Sequence, residues 1–310
     1  MIVDLPDTTV STIAKKLVSV REEGGAVALG RVLTLVIVST GGFDEEAIEA
    51  ANAASREHPM RVIVLVVQPD AATGLDAQIR VGGDAGASEV VVLRARGEAA
   101  DNQESLVNGL LLPDAPVVAW WPEDPPSAPA SSAIGRMAQR RITDASTKPY
   151  VSDRLASLGH VYKPGDTDLA WTRLTHWREQ LAAVLDQPPY ESVIGVEVVG
   201  AGDSPSTGLL AAWLRMKLDV PVEWRYAPAE EWSHGIRSVR LVRASGDIVL
   251  ERSNETDATL TQPGQPTHDI VLPRRSLREC LAEELRRLDP DLLYGRVITD
   301  GWALLEPPTR

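Results

Sequence analysis

Cysteine is nearly missing from this chain: Cys280 is the single one in 310 residues. One thiol closes no internal disulfide and builds no multi-cysteine zinc centre. Within a helical pattern it reads as a small core residue. Phenylalanine is equally scarce, with one residue against eight tryptophans and five tyrosines. The large apolar contacts therefore fall to side chains that keep a polar N–H or O–H and suit half-buried positions. The five histidines, His58, His160, His176, His234 and His268, are scattered and form no His-x-x-x-His pair, so no metal site is expected. His176 reads as a surface or packing residue of a helix. Basic charge is in deficit, with 31 Lys and Arg against 44 Asp and Glu and a net charge of -13. That balance disfavours unaided binding to nucleic acid or to an anionic membrane. Long apolar runs are absent too. Stretches such as Val32 to Val38 are far too short to span a bilayer, and the N-terminus has no basic segment leading into an apolar core. A cytoplasmic protein with no membrane contact is expected.

Catalytic signatures are missing as well. There is no Gly-x-x-x-x-Gly-Lys phosphate loop and no Gly-x-Ser-x-Gly elbow. Glu230-Glu231 and Asp289-Pro290-Asp291 read as solvated loop or cap residues. No catalytic residue and no cofactor is expected.

What is present is a pattern of strands and helices. A helix is predicted over Thr8 to Glu22, from Val10, Ile13, Leu17 and Val20. Val32 to Val38 and Arg61 to Val67 are continuous apolar strands on either side of a helix from Phe43 to Glu57. Such an arrangement indicates a parallel βαβ unit covered on both faces. Shorter strands, Ala77 to Val81 and Glu89 to Arg94, flank a turn at Gly82-Gly83-Asp84-Ala85-Gly86. A helix, Gln103 to Leu111, leads to Asp114-Ala115-Pro116-Val117-Val118-Ala119-Trp120-Trp121-Pro122, a buried strand ending in two tryptophans. Neighbouring strand residues point to opposite faces. One indole should close a core, and the other is either covered by a helix or part of a recognition rim, where aromatics concentrate binding energy.

Four prolines between Pro122 and Ala130 rule out regular structure there and suggest a strap. A helix from Ser131 to Arg141 would set Arg136 and Arg140 on one face. Pro149-Tyr150 and Ser152-Asp153 mark a turn and a new helix start. Gly165-Asp166-Thr167-Asp168 would cap a helix to Asp186 with an apolar stripe through Leu174, Trp177, Leu181 and Val184. The second half reads as strand Ser192 to Val199, a helix to Leu218, and strands Val222 to Tyr226, Ser238 to Arg243, Asp247 to Arg252 and Asp269 to Leu272. A helix from Ser276 to Leu288 follows. The fold class is α/β, with two βαβ-based modules of mixed sheet joined by a helical connector. The boundaries are 1–125, 126–187 and 188–310, and the similar element orders raise the hypothesis of a duplicated module.

Two turns, Ser39-Thr40-Gly41-Gly42 and Gly200-Ala201-Gly202-Asp203-Ser204-Pro205-Ser206-Thr207, lie between a strand and a helix. Free backbone N–H groups and the helix dipole favour an anion at such places. Gly202, Ser204, Ser206 and Thr207 are candidate anion ligands for a sugar phosphate. Pro205 breaks the dinucleotide fingerprint and Asp203 would repel a phosphate, so a well-capped turn is the plain alternative.

Three segments resemble one family. They are Asp114 to Pro122, Arg140-Arg141-Ile142-Thr143-Asp144, and Gly165-Asp166-Thr167-Asp168-Leu169-Ala170-Trp171-Thr172-Arg173-Leu174-Thr175-His176-Trp177-Arg178. The chain is similar, over nearly its whole length, to the glucose-6-phosphate dehydrogenase assembly protein OpcA family. The resemblance implies a non-enzymatic partner that assembles or allosterically activates glucose-6-phosphate dehydrogenase in the oxidative pentose phosphate pathway. Some relatives are linked to redox control through cysteines, but Cys280 alone offers no internal dithiol. On that reading Trp120, Trp121, Pro122, Arg140, Arg141, Trp171, Arg173 and Arg178 would form a docking face, with core roles favoured for at least half of them. A sugar-phosphate-binding enzyme or sensor, using the Ser204 to Thr207 turn, is the competing expectation. A sugar-phosphate effector is left open.

Overall fold

The computed structural model describes residues 1–23, 30–41, 44–81, 89–147, 151–202 and 204–308. In chain order the elements begin with β1 (Ile2–Leu5), α1 (Val10–Glu23), β2 (Leu33–Ser39), α2 (Asp44–Ala54), β3 (Met60–Gln68), β4 (Gly74–Arg80) and β5 (Glu89–Arg96). Next come α3 (Gln103–Asn108), β6 (Val117–Trp121), α4 (Ala133–Met137), β7 (Arg140–Thr143), α5 (Val151–Val161), β8 (Asp166–Asp168), α6 (Leu169–Thr172) and α7 (Thr175–Leu185). The chain continues through β9 (Gly195–Gly200), α8 (Pro205–Leu218), β10 (Val222–Tyr226), β11 (Ile236–Val242), β12 (Ile248–Arg252), β13 (Asp257–Thr261) and β14 (His268–Val271). It ends with α9 (Leu277–Arg286) and α10 (Leu292–Arg296), which runs into a π turn at Val297–Gly301.

These elements form two compact units. The first takes Met1–Asp144, Gly165–Thr167 and Leu277–Pro290, and the second takes Ala145–Pro164, Asp168–Ser276 and Asp291–Arg310. The stretch 126–187, expected as a helical connector, is divided between them. The expected turn at Gly82-Gly83-Asp84-Ala85-Gly86 lies outside the described residues, as do Gly42, Phe43, Pro149, Tyr150 and Asp203.

The first unit is built on an eight-stranded mixed sheet in the order β1-β4-β5-β3-β2-β6-β7-β8. Its centre is parallel: β2 pairs with β3 and with β6, and β3 pairs with β5. The continuous apolar character of β2 and β3 follows, since both faces of these strands are buried. On one face, Val36, Ala119 and Trp121 join Ile13 and Leu17 of α1, Val107 of α3 and Ile134 of α4 in one core. Leu35, Ile37, Val118 and Trp120 alternate to the other face. There α2 packs against α9.

Ser131 to Arg141 is not one helix. Ser132 caps the short α4, accepting from the Gly135 N–H at 3.0 Å. The chain then extends into β7, which runs parallel to β6 with Trp120 opposite Ile142. Arg136 and Arg140 therefore share no helix face. The segment from Gly165 is likewise broken up. Asp168 ends β8 and caps α6, accepting from the Ala170 N–H at 2.9 Å, and α7 starts only at Thr175.

The second unit has a six-stranded sheet ordered β10-β9-β11-β12-β13-β14. Strands β9 and β10 are parallel, joined by α8 in a βαβ crossover, and the remaining pairs are antiparallel. Helix α8 is buried on all sides from Pro205 to Leu214, as its run of Leu, Ala and Gly requires. The duplicated-module hypothesis does not hold. In the first unit β2 lies between two parallel neighbours, whereas its counterpart β9 has one parallel and one antiparallel neighbour, and β10 is an edge.

Candidate functional site

The two tryptophans of β6 do point to opposite faces, but neither reaches the surface: Trp120 is 0% and Trp121 3% exposed. Pro122 is buried after them. A side chain with no accessible surface offers nothing to a docking partner, so the expected rim is replaced by two core residues. The indole N–H of Trp120 is buried without a hydrogen-bond partner among the described residues.

Arg140 and Arg141, placed in the docking face by sequence, are also interior. Arg140 donates through Nε to Glu284 Oε2 at 2.8 Å and through Nη1 to the Asp289 carbonyl at 2.7 Å. Arg141 pairs with Asp166 and donates to the Ala138 carbonyl at 2.7 Å. Both are structural ties of the first unit. Trp171 is buried in the second unit. Its indole donates to Asp291 Oδ2 at 2.8 Å, and the Arg178 guanidinium lies 3.9 Å from its ring centroid. Arg178 also donates to Thr175 Oγ1. Trp177 takes the core position its place in the apolar stripe predicts. Of the eight residues, Arg173 opens onto a cleft while donating from Nη1 to Ser146 Oγ at 3.1 Å.

That cleft surrounds the N-terminus of α8 and encloses about 580 Å³ with its open mouth included. Ser204 is the N-cap residue and Pro205 the first helical residue. Proline has no N–H, and the Thr207 amide turns back to donate to the Ser204 carbonyl at 3.2 Å. Ser204 and Ser206 both line the cleft, and Ser206 Oγ donates to the Ala170 carbonyl at 2.9 Å. Thr207 lies deeper. It is fully buried, and its hydroxyl has no partner among the described residues. Gly202 is exposed before the helix. Asp203, the acid that would oppose an anion, lies outside the described residues.

Around this helix end stand Arg173, Arg252, Arg274 and Arg275, with no carboxylate lining the cleft among the described residues. Arg252, at the end of β12, is only 5% exposed. One of its groups, Nη2, donates to the Leu272 carbonyl at 2.7 Å, and its guanidinium sits 5.2 Å from the Trp177 ring centroid. Its Nε is buried with no partner among the described residues. Burial, followed by the nearby charge of Arg274, pulls the Arg252 guanidinium down to about 10. Arg274 is exposed. Arg275 donates to the Thr172 carbonyl at 2.9 Å. Sequence reasoning found the helix turn but missed these three arginines. The Arg274-Arg275 doublet between a strand and a helix was the one local signal available.

Among the described residues, no group of three His, Cys, Asp or Glu side chains could hold a metal ion. No helix there is long and apolar enough to cross a membrane.

The chain is similar to known proteins in three respects. It is 24% identical over 211 residues to a curated Synechocystis OxPP cycle protein named OpcA, a match spanning 63% of this chain and 44% of that protein. The chain therefore spans less than half the length of that curated relative. Two solved structures align with it at low similarity. One is myo-inositol dehydrogenase from Lactobacillus casei in complex with NAD(H) and myo-inositol. It is 9% identical with a TM-score of 0.43, over 88% of this chain and 93% of that one. The other, an oxidoreductase from Thermotoga maritima, is 11% identical with a TM-score of 0.42, over 88% and 94%. The family models are far more specific. Residues 51–161 match the N-terminal domain, and residues 164–298 the C-terminal domain, of the family described as the glucose-6-phosphate dehydrogenase subunit. With both domains matched in tandem over most of its length, the chain belongs to the OpcA family of glucose-6-phosphate dehydrogenase assembly proteins.

Proposed function

We propose that this chain is a non-enzymatic assembly factor that binds glucose-6-phosphate dehydrogenase and promotes its active state in the oxidative pentose phosphate pathway. The observation that carries the reading is the tandem match of both family domains across residues 51–298. An activator needs no nucleophile or metal. It needs a surface that binds one state of its partner more tightly than another, because only that difference shifts the partner's equilibrium. The chain's net charge of -13 favours a basic patch on the dehydrogenase and faster association at low salt.

The anchors of that surface are not the tryptophans of β6, which are core residues of the first unit. In the expected set, Arg173 and Arg178 keep partial exposure and remain candidates for contact. The experiment is a titration of purified dehydrogenase with this chain, with substrate and NADP present. Co-elution together with a changed maximal rate or substrate affinity is expected. A pair that neither associates nor changes kinetically under those conditions overturns the reading.

A further inference from the structure

We propose that the open edge of β14 takes up an extended, basic segment of the dehydrogenase and adds it to the six-stranded sheet of the second unit. The site rests on the assembly reading and deepens it, naming where the partner docks.

Strand β14 ends its sheet, with β13 on one side. Just past the strand, the Leu272 amide donates to the Thr256 carbonyl at 2.8 Å. In an antiparallel ladder, residues that exchange both backbone bonds with the neighbour alternate with residues that turn both groups away. His268, Ile270 and Leu272 therefore direct their amides and carbonyls to β13, while Asp269 and Val271 turn theirs outward. The far side of β13 agrees with this parity: the Ser253 amide donates to the Asp257 carbonyl at 2.9 Å, so Asp257 faces β12 and Ala258 faces β14. The outward groups of Asp269 and Val271 have no hydrogen-bond partner among the described residues. An edge with a free donor and acceptor at every second residue is a template for one more strand.

The side chains point the same way. Ile270 packs against the core that holds Ala258 and Leu260. Asp269 and Val271, on either side of it, lie on the opposite face. There Val271 is the cross-strand neighbour of Asp257, and Asp269 that of Thr259. Natural edges are protected by charge, proline or cover. Pro266 and Pro273 keep this one short, yet Val271 stands 75% exposed. A lone exposed valine means little. On a residue whose amide and carbonyl are also free, it is apolar surface that an added strand would cover.

Charge selects the occupant. Asp257 and Asp269 are exposed on the outer face, and Glu255 is exposed in the turn before β13. Arg274, whose amide donates to the Glu255 carbonyl at 3.0 Å, sets one positive charge against these three. Asp269 has no ion pair or hydrogen bond among the described residues. Two copies of this chain joined edge to edge would bring both sets of carboxylates together, and like charges across strands are destabilising. A segment with Lys or Arg at alternate positions meets the carboxylates instead, and an apolar residue on the same face covers Val271.

The test uses the full chain and purified dehydrogenase. Val271→Pro deletes the outward amide and costs the sheet no ladder bond, because proline is tolerated on an edge strand where the N–H faces solvent. Its urea midpoint should stay close to native. Its affinity for the dehydrogenase, measured by calorimetry at low salt, should fall about tenfold or more, since a partner carbonyl loses its donor. Val271→Thr keeps the amide and should cost less. Asp269→Lys should also weaken pairing and flatten its dependence on salt. Hydrogen exchange gives a readout that needs no variant. The Asp269 and Val271 amides should exchange quickly in the free chain and slowly in the complex, whereas the Ile270 amide is protected in both. If the native pair associates while those two amides stay fast, or if Val271→Pro binds as tightly as native, the proposal is overturned and the assembly reading stands. A native pair that does not associate overturns both. If the chain instead self-associates and Val271→Pro abolishes that, the edge takes a second copy and the proposal fails.

Discussion

Replacing Arg252 by methionine should leave the unliganded protein nearly as stable as the native one, although the arginine is only 5% exposed. The reasoning weighs three terms. Burial and Arg274 lower the guanidinium from its ordinary value to about 10. At about 1.36 kcal/mol per pH unit, keeping it charged costs the fold about 3 kcal/mol. The hydrogen bond to the Leu272 carbonyl and the stacking on Trp177 work the other way, at about 1.5–3 and 0.5–2 kcal/mol. These nearly cancel, and methionine can follow the path of the aliphatic stem. A change within about 1 kcal/mol is expected. The sign with pH follows from the lowered value. The cost is present in full below about pH 10 and fades as pH rises toward the ordinary guanidinium value, so neutral buffers measure all of it. Urea unfolding followed by tryptophan fluorescence, in phosphate-free buffer, gives the comparison. A loss of about 3–5 kcal/mol, the scale of a broken buried ion pair, would mean that Arg252 has a compensating partner. Arg252 would then be a structural tie of the second unit, as Arg140 is of the first.

Arg140→Met should behave in the opposite way. It leaves Glu284, which is 5% exposed, buried without the guanidinium of Arg140, with a loss of about 3–5 kcal/mol; an unchanged urea midpoint would show that the pair is not a structural tie. Trp171→Phe removes the indole bond to Asp291, the residue that also caps α10 by accepting from the Leu293 and Tyr294 amides at 2.9 Å. About 2 kcal/mol of stability should go with it, read as a lowered denaturation midpoint. Gly200→Ala would set a Cβ 2.1 Å from Thr207 Oγ1 and 2.9 Å from the Gly235 carbonyl. Both belong to packed structure, so a loss of about 1–3 kcal/mol is expected, and a variant as stable as native would show the α8 turn to be looser than these contacts imply.

How far the sequence could be read depended on whether the signal was local. The apolar runs of β2 and β3 and the helix between them were legible because burial on both faces leaves a continuous pattern. Strand β13 was not. It shows only Ala258 and Leu260 to the core, among Asp and Thr residues that look like loop, and its turn is held by Asn254 Oδ1 accepting from the Thr256 and Asp257 amides at 2.8 Å. Arg140 and Arg141 looked like surface residues because their counter-charges are distant in sequence, Glu284 lying 144 residues from Arg140. For the same reason the cleft was only half legible. The strand–turn–helix at Gly200 to Thr207 is a local motif, whereas Arg252, Arg274 and Arg275 reach it only through the folded sheet.

The chain has two strand-to-helix turns that sequence alone marks as anion-friendly, and the structure separates them. After β2, Ser39 Oγ accepts from the Gly41 amide at 3.0 Å, and the first turn of α2 carries Glu45 and Glu46. Those acids already complement the helix dipole. Arg80 then neutralises Glu45 at 2.6 Å and holds its carboxyl below the usual range. An anion arriving there meets carboxylates first. After β9, the first turn of α8 has no acid and is approached by arginines instead. The same backbone motif thus carries acids in the first helical turn of one unit and none in that of the other. Backbone amide shifts on addition of inorganic phosphate should therefore concentrate at Ser204 to Gly208 and leave Glu45 to Ala47 unmoved. Equal shifts at both helix starts would show that the first-turn acids of α2 do not decide which helix end attracts an anion.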